Sequence, residues 1–210
     1  MKDKSFIQKA AGTIFANGFV FRNPVLIGAL GMYQVVSAGY SLKNAVTMSL
    51  LFLFIALPAG LVMCLIGMAL PDWIRPGAAL TVSALFYIPA AYIIDAVLPG
   101  SISSLGFAAA LMICNSAVYS RVGEYAPGHV AVAAVADIAG NSAGFAAVAC
   151  VTAFIRELWL TGGVWGASGK GIGSGMSLPF AGFIILGILA AFIQWVNSRR
   201  KVKYAEKKGR

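Results

Sequence analysis

Charged side chains are scarce in this chain of 210 residues, and acidic ones are the scarcest. Only 11% of the residues are charged: 7 Asp and Glu stand against 16 Lys and Arg, with a single His and three Cys. So few charges exclude the hydrated surface of an ordinary soluble domain. With no Cys-x-x-Cys pair and no second His, the familiar patterns of a protein metal site are also missing.

Apolar residues are abundant instead. They make up 60% of the sequence, and the mean hydropathy is +0.84. The sequence therefore predicts an all-α integral membrane protein of one domain, with almost no material outside the bilayer. Six apolar runs follow one another, at residues 24–40, 44–70, 77–98, 104–120, 130–155 and 177–196.

The lengths of these runs repeat in the two halves of the chain. They are 17, 27 and 22 residues, then 17, 26 and 20. A helix needs about 20 residues to cross a hydrocarbon layer of ~30 Å, so runs one and four are marginal as straight spans. Short spans at matching positions of two halves indicate an internal repeat with a site near the midplane. We therefore predict a 3+3 membrane domain at 23–197, with halves 23–99 and 100–197, between an interfacial segment 1–22 and a basic tail 198–210.

Basic residues predict the orientation in the membrane. With six spans, thirteen Lys and Arg fall on one side and three on the other, namely Lys43, Arg156 and Lys170. This excess predicts that both termini are cytoplasmic. The basic tail suits the anionic headgroups of the inner leaflet, and we expect no nucleic-acid partner.

Asp137 is the more deeply placed of the two acidic residues within the apolar runs. Asn141 follows one helical turn later on the same face, and Gly140 and Gly144 have a spacing that permits close helix approach. We therefore expect the fifth helix to be central to the bundle. Asp137 either makes a structural hydrogen bond to a neighbouring helix or serves as a cation or proton relay, and the sequence leaves both interpretations open.

The two short runs carry residues that disturb a helix. Pro24 opens run one, which continues through Gly31 to Gln34, and run four contains Asn115 and Ser116. Pro24 cannot donate a backbone hydrogen bond and glycine loosens helix geometry, so local unwinding is expected. Asn115 and Ser116 then satisfy the freed backbone groups where the unwound segments meet. Ordinary polar packing of the same residues is the alternative.

Three stretches in order resemble a known family. FRNPVLIGALGMY followed by SLKNAV, then SLGFAAALMICNSAVYSR, and last ADIAGNSAGFAAVACVTAFIRELWLTGGVWG are similar to the small membrane subunits of Rnf and Nqr electron-transport complexes. The NPVL opening and the REL ending look more like the NqrD/RnfE type than its sister, the NqrE/RnfA type. The resemblance covers roughly residues 19–196.

The resemblance implies a fold, partners and a location. It implies six spans as an inverted repeat, with half-helices in spans one and four, in a bacterial or archaeal inner or cell membrane. The sister subunit of inverted topology would be the direct partner, and together the two would hold a [2Fe–2S] cluster at mid-membrane. The other subunits would carry flavin and iron–sulfur centres, and the complex would couple electron transfer to Na⁺ or H⁺ translocation. The chain alone would be non-catalytic.

This sequence departs from the family at the cluster ligands. The family cysteine of span one falls on Tyr33 and that of span four falls on Ser116. Clusters of this kind are held by thiolates, and neither residue is a normal ligand. Cys114 lies two positions away, about 200° around a helix and ~3 Å along it, so it should face elsewhere. The resemblance thus implies a subunit without the usual ligands, in which the Tyr33 hydroxyl would need a partner such as Ser116.

A transporter is the rival interpretation. Six spans without a soluble domain also suit a small-solute carrier or the membrane component of a vitamin importer, and a scaffold subunit without a site is a third possibility. In a carrier, four polar residues would line a midplane pocket: Asp137, Asn141, Asn115 and Gln34. A carrier should bind a solute alone, whereas an electron-transport subunit should copurify with redox proteins.

Overall fold

The computed structural model describes residues 11–21, 23–167, 169–171 and 173–208, and the regular structure within these ranges is helical, without strands. Residues 11–16 are helical and lead into a π-helical turn at Asn17–Phe21. The α-helices that follow are α1 (Met32–Ala38), α2 (Leu42–Ile66), α3 (Arg75–Val97), α4 (Ser101–Leu105), α5 (Phe107–Ala110), α6 (Ser116–Tyr119), α7 (Ala131–Thr161) and α8 (Pro179–Lys208). Shorter turns lie at Gly67–Ala69, Ser120–Tyr125, Ala126–Gly128 and Ser174–Ser177.

Four helical stretches in the described part of the chain are long and apolar enough to cross a membrane. They are Leu42–Ala69, Arg75–Val97, Ala131–Thr161 and Pro179–Arg199. Each exceeds the roughly 20 residues that a span requires. They coincide with apolar runs two, three, five and six, so the all-helical membrane architecture predicted from the sequence is confirmed for these runs.

Helices α2 and α7 pack against each other to form the centre of the molecule. The backbone of Leu42 meets the side chain of Glu157 at one end, and Gly60 faces Ile138 near the other, so the two helices are antiparallel. The rings of Phe52 and Phe145 lie between these points, edge to face with centroids 5.4 Å apart. Of the four spans, α7 is the most buried, which confirms its expected central position.

Run one is interrupted before α1 begins. Pro24 has no N–H to donate, and the buried Asn23 side chain accepts hydrogen bonds from Val25 N and Leu26 N, which fixes a turn in place of a helix. The chain stays irregular up to Gly31, whose φ of +72° is in the left-handed region. Only the last part of the run is helical, as α1.

Run four is divided into three short helices. Gly106, with φ +53°, separates α4 from α5, and residues 111–115 separate α5 from α6. Asn115 begins α6, because its side-chain Oδ1 accepts from Ala117 N at 2.7 Å and so caps the helix. Runs one and four, which were marginal in length, therefore each contain an irregular segment.

The N-terminal segment lies in a groove that the glycines of α7 open. A Cβ added to Gly140 would lie 2.9 Å from Phe15 Cα, and Asn23 Nδ2 donates to the Gly144 carbonyl at 2.9 Å. The close approach expected at these glycines is confirmed, and its partner is the chain's own N-terminal segment. Residues 1–10 and 209–210, parts of the expected interfacial segment and basic tail, lie outside the described residues.

Candidate functional site

The two interrupted segments meet through hydrogen bonds; we call residues 28–34 together with 111–117 the crossing. Gly31 N donates to Ser116 Oγ at 3.0 Å, and Gln34 Nε2 donates to the Leu111 carbonyl at 3.0 Å. Gln34 is almost fully buried. Each segment thus supplies a partner to backbone groups that the other segment's irregular conformation leaves unpaired.

Asn115 lies at the closest point of the crossing. It is buried, it caps α6 through Oδ1, and its Nδ2 contacts Met112 Sδ at 3.3 Å. A Cβ added to Gly31 would lie 2.9 Å from Asn115 Oδ1. Glycine is therefore required at position 31 for two reasons, the positive φ and the room for this amide. The predicted role of Asn115 and Ser116 in satisfying unwound backbone agrees with these contacts.

The side chains at the two family ligand positions lie at the surface of the crossing. Tyr33 is 53% exposed, and Ser116 and Cys114 are also exposed. No hydrogen bond joins the Tyr33 and Ser116 hydroxyls in the described part of the chain; the Ser116 oxygen accepts from Gly31 instead. The suggested partnership between these two hydroxyls is therefore absent.

The donor atoms at the crossing do not fit an iron–sulfur cluster. A phenol and an aliphatic hydroxyl occupy the two positions where thiolates are needed, and Ser116 is already engaged. Among the residues that the structure describes, no three His, Cys, Asp or Glu side chains form a group that could hold a metal ion. We therefore derive no step through a cluster bound by this chain.

A second polar cluster surrounds Asp137 on α7. The Asp137 side chain is only 10% exposed, and its Oδ2 lies 3.1 Å from Arg121 Nη1, which comes from the π-helical turn Ser120–Tyr125. Asn141 Nδ2 donates to the Asp137 carbonyl at 2.8 Å. Asp137 therefore has a fixed cationic partner, and the pair ties the end of run four to the start of run five.

Aromatic side chains extend this cluster. Arg121 lies over the Tyr125 ring at 5.7 Å, and that ring stacks on His129 with centroids 3.8 Å apart. His129 Nδ1 is 2.7 Å from the Tyr125 carbonyl. Burial, reinforced by Asp137 and opposed by Arg121, raises the pKa of Tyr125, so this phenol stays neutral at physiological pH.

The four polar candidates from the sequence form two separate groups. Gln34 and Asn115 belong to the crossing, whereas the contacts of Asp137 and Asn141 are with Arg121 and with the N-terminal segment, where Gly18 approaches Asn141. Within the described residues no hydrogen bond connects the two groups. A single midplane pocket lined by all four, as the transporter interpretation required, is not supported by these contacts.

Two further candidate residues, Arg156 and Glu157, were not predicted from the sequence. Arg156 is fully buried, and Glu157 is nearly so. Glu157 Oε2 accepts from Leu42 N at 2.7 Å and Oε1 from Gly166 N at 3.2 Å. In the sequence Arg156 was counted only as a topological charge; adjacent opposite charges near the end of an apolar helix were the available signal.

Comparison with known proteins identifies relatives over nearly the whole chain. A family model described as "Rnf-Nqr subunit, membrane protein" matches residues 11–191. The E-type subunit of the Na(+)-translocating ferredoxin:NAD(+) oxidoreductase complex of Acetobacterium woodii is 26% identical over 186 residues, covering 87% of this chain and 95% of the relative.

Two further relatives come from different complexes. The E-type subunit of the proton-translocating ferredoxin:NAD(+) oxidoreductase complex of Clostridium ljungdahlii is 25% identical over 201 residues, covering 93% of this chain and 94% of the relative. The D-type subunit of the Na(+)-translocating NADH-quinone reductase of Pseudoalteromonas translucida is 26% identical over 155 residues, covering 74% and 71%. The similarity therefore spans both interrupted segments and both polar clusters.

Proposed function

The chain belongs to the family of Rnf-Nqr membrane subunits, and we propose that it is the D- or E-type member of a membrane complex that couples electron transfer to Na⁺ or H⁺ translocation. The match over residues 11–191 carries this proposal, because it includes the crossing and all of α7. The relatives that cover most of this chain are subunits of ion-translocating oxidoreductases. We propose no catalysis by the chain alone.

We propose further that the crossing completes a six-span inverted repeat. Runs one and four each contribute a half-helix, α1 and α6, and the four long helices supply the other spans. The support is that the two irregular segments occupy matching places in the two halves and bond to each other. Irregular backbone at membrane depth is tolerated only where protein or water satisfies its polar groups. At the crossing, each irregular segment satisfies part of the other's backbone.

The orientation and location follow the basic residues. Thirteen of the sixteen Lys and Arg lie on one side of a six-span arrangement, so both termini are proposed to be cytoplasmic, in the inner membrane of a bacterium or the cell membrane of an archaeon. The Arg121–Asp137 pair and His129 are then on the cytoplasmic side. Arg156 and Glu157 are on the opposite side.

The partner at the crossing is proposed to be the sister subunit of inverted topology. Tyr33, Cys114 and Ser116 are exposed there beside irregular backbone. In lipid, a polar group without a partner, such as the Tyr33 hydroxyl, would be unfavourable by several kcal/mol, roughly. A second protein chain that covers the crossing removes this cost, and its own side chains or cofactor would face Tyr33.

Two routes for ions and electrons are kept apart in this proposal. Asp137 and Asn141 are proposed as polar contacts of a cation or proton path, because ionisable residues inside membrane helices commonly mark such paths. The ion pair of Asp137 with Arg121 is the structural alternative. Gln34 and Asn115 hold the crossing together. Electrons are proposed to cross by a centre that the partner subunits hold, since the residues at Tyr33 and Ser116 do not fit cluster ligation.

Purification with native partners tests the proposal. The complex would be isolated in mild detergent, and iron, acid-labile sulfide and flavin would be assayed beside the visible spectrum. Copurifying flavin and iron–sulfur proteins, without iron beyond their own clusters, is the expected result. Extra iron would contradict the absence of a cluster on this chain, and a colourless, solitary chain that binds a solute would favour a transporter.

A further inference from the structure

Arg156 has the largest fully buried side chain in the described part of the protein, and it makes no ion pair there. Among the described residues, the guanidinium of Arg156 donates only to main-chain carbonyl oxygens. We call the four acceptors the carbonyl cradle: Val36 at 2.8 Å from Nη1, Met176 at 3.0 Å from Nε, and Ser177 and Leu178 at 3.2 and 3.4 Å from Nη2.

The carbonyl cradle joins three parts of the chain. Val36 is in the last turn of α1, where carbonyls have no partner within the helix and carry partial negative charge. Met176 belongs to the turn Ser174–Ser177, and Leu178 is the residue before α8. The guanidinium of α7 thus binds α1 to the beginning of α8.

The same short helix leads directly to the crossing. Gln34, two residues before Val36, donates to Leu111, and Gly31 at the start of α1 donates to Ser116. Helix α1 has only seven residues, so it is too short to be stable without tertiary contacts. Its position is therefore determined by the crossing at one end and by Arg156 at the other.

We propose that Arg156 is a positioning residue that acts as a tethered cation: its guanidinium fills a cradle of carbonyls and thereby holds α1 and the crossing in place. When the side chain is deleted, the cradle becomes a binding site for a free guanidinium ion. The proposal concerns the packing of this chain and is independent of electron transfer by the complex.

The shape of the cradle selects a guanidinium over an ammonium ion. Acceptors on both sides match a planar group with five N–H donors in fixed directions, whereas lysine presents a compact charge with three donors. The backbone closes around the group as well. A Cβ added to Gly182 of α8 would lie 3.2 Å from Arg156 Nη1 and 3.3 Å from Val36 Cα.

Cys114 provides a reporter at the crossing. It is exposed, whereas Cys64 and Cys150 are partly buried and are replaced by alanine in the reporter chain. The full-length chain in detergent is compared as the parent, as Arg156→Ala and as Arg156→Lys. The matched control is Arg199→Ala, because Arg199 is exposed on α8 and lies over the Trp195 ring.

Two quantities are measured, the Tm and the rate at which a maleimide alkylates Cys114. We expect both Arg156 variants to change the alkylation rate at least threefold and to lower Tm, and the control to match the parent. Guanidinium chloride at millimolar concentration should restore the rate and raise the Tm of Arg156→Ala by about 4 °C. Equal concentrations of NaCl or of urea, the neutral isostere, should do neither.

Several results would overturn the proposal. An unchanged Cys114 rate in Arg156→Ala would show that Arg156 does not position the crossing, and equal restoration by NaCl or urea would show that the cradle does not select a guanidinium. If Arg156→Ala fails to fold, Arg156→Lys carries the test, because it keeps the positive charge but lacks the planar group that reaches all four carbonyls. A parental Cys114 rate in Arg156→Lys would then contradict the proposal.

Discussion

The crossing and the Arg156–Glu157 pair are both polar regions inside an apolar protein. Hydrogen bonds within this chain satisfy the pair, whereas the crossing keeps polar side chains at its surface. Every formal charge of the pair is met by backbone: four carbonyls for Arg156 and two N–H groups for Glu157. At the crossing, Tyr33, Cys114 and Ser116 face outward. A polar region whose groups are all hydrogen-bonded within the chain indicates a structural role. A polar region with exposed side chains indicates a surface for a partner.

A substitution in the Arg156–Glu157 pair should have the largest effect on stability. Glu157→Ala leaves the N–H groups of Leu42 and Gly166 without an acceptor and removes a carboxylate from the start of α2. We expect a loss of about 2–4 kcal/mol, which corresponds to a Tm lower by about 10 °C in thermal unfolding. Glu157→Gln keeps an oxygen acceptor and should lose less. Equal Tm values for the alanine variant and the parent would refute the assignment.

Gly31 allows a sharper test of the crossing, because Gly100 is its conformational twin. Both precede a helix with φ +72°, and their ψ values are 11° and 5°. Only Gly31 is crowded, by Asn115, whereas the nearest atom at Gly100 is 3.9 Å away. Gly31→Ala should therefore cost about 2–3 kcal/mol in the free energy of unfolding, and Gly100→Ala about 1 kcal/mol. Similar losses for the two variants would show that strain alone, and not contact with Asn115, requires glycine.

Asp137→Asn tests whether the second cluster has a use beyond stability. The change removes the ion pair with Arg121 but keeps an acceptor, so we expect a loss of about 1 kcal/mol. Turnover of the complex and its dependence on Na⁺ and pH should change as well. The control is Asp72→Asn, whose ion pair with Arg75 is at the surface, with the Asp72 side chain 92% exposed. If ion dependence survives in Asp137→Asn, the relay hypothesis is wrong.

Tyr33→Phe should have the smallest effect on the isolated chain. Its hydroxyl has no hydrogen bond within the described residues and is exposed, so the Tm should change by less than about 1 °C. In the complex we expect a measurable change, namely weaker retention of the proposed sister subunit on size-exclusion chromatography. Identical retention would argue against a partner contact at Tyr33, although it would leave the crossing itself intact.

Much of this architecture was accessible from sequence because apolar length and small residues are local properties. The four long runs, the central place of α7 and the close approach at Gly140 and Gly144 all followed from composition and spacing. Pro24 and the two marginal lengths located the interruptions. The sequence also suggested that Asn115 and Ser116 satisfy freed backbone groups, with ordinary polar packing as the alternative, and the contacts of both residues agree with the first interpretation.

The identity of each partner was not accessible in the same way. Asp137 was recognised as unusual, but Arg121 lies 16 residues away and was counted only as a topological charge. The spacing of Gly140 and Gly144 predicted close helix approach without naming the partner, which is the N-terminal segment. The sequence places Arg156 just after an apolar run as a topological charge, because its neighbours along the chain do not indicate that four carbonyls from two distant segments surround it.

Sequence by itself determined that this protein is a membrane-embedded bundle of helices in which runs one and four are interrupted. Hydrophobic run length and helix-breaking residues are properties of a few neighbouring positions. Tertiary structure decided that the two interrupted segments hydrogen-bond to each other and that the buried Arg156 positions α1. Hydrogen-bond satisfaction of buried backbone is a long-range condition: which carbonyl receives which donor depends on how separate segments pack.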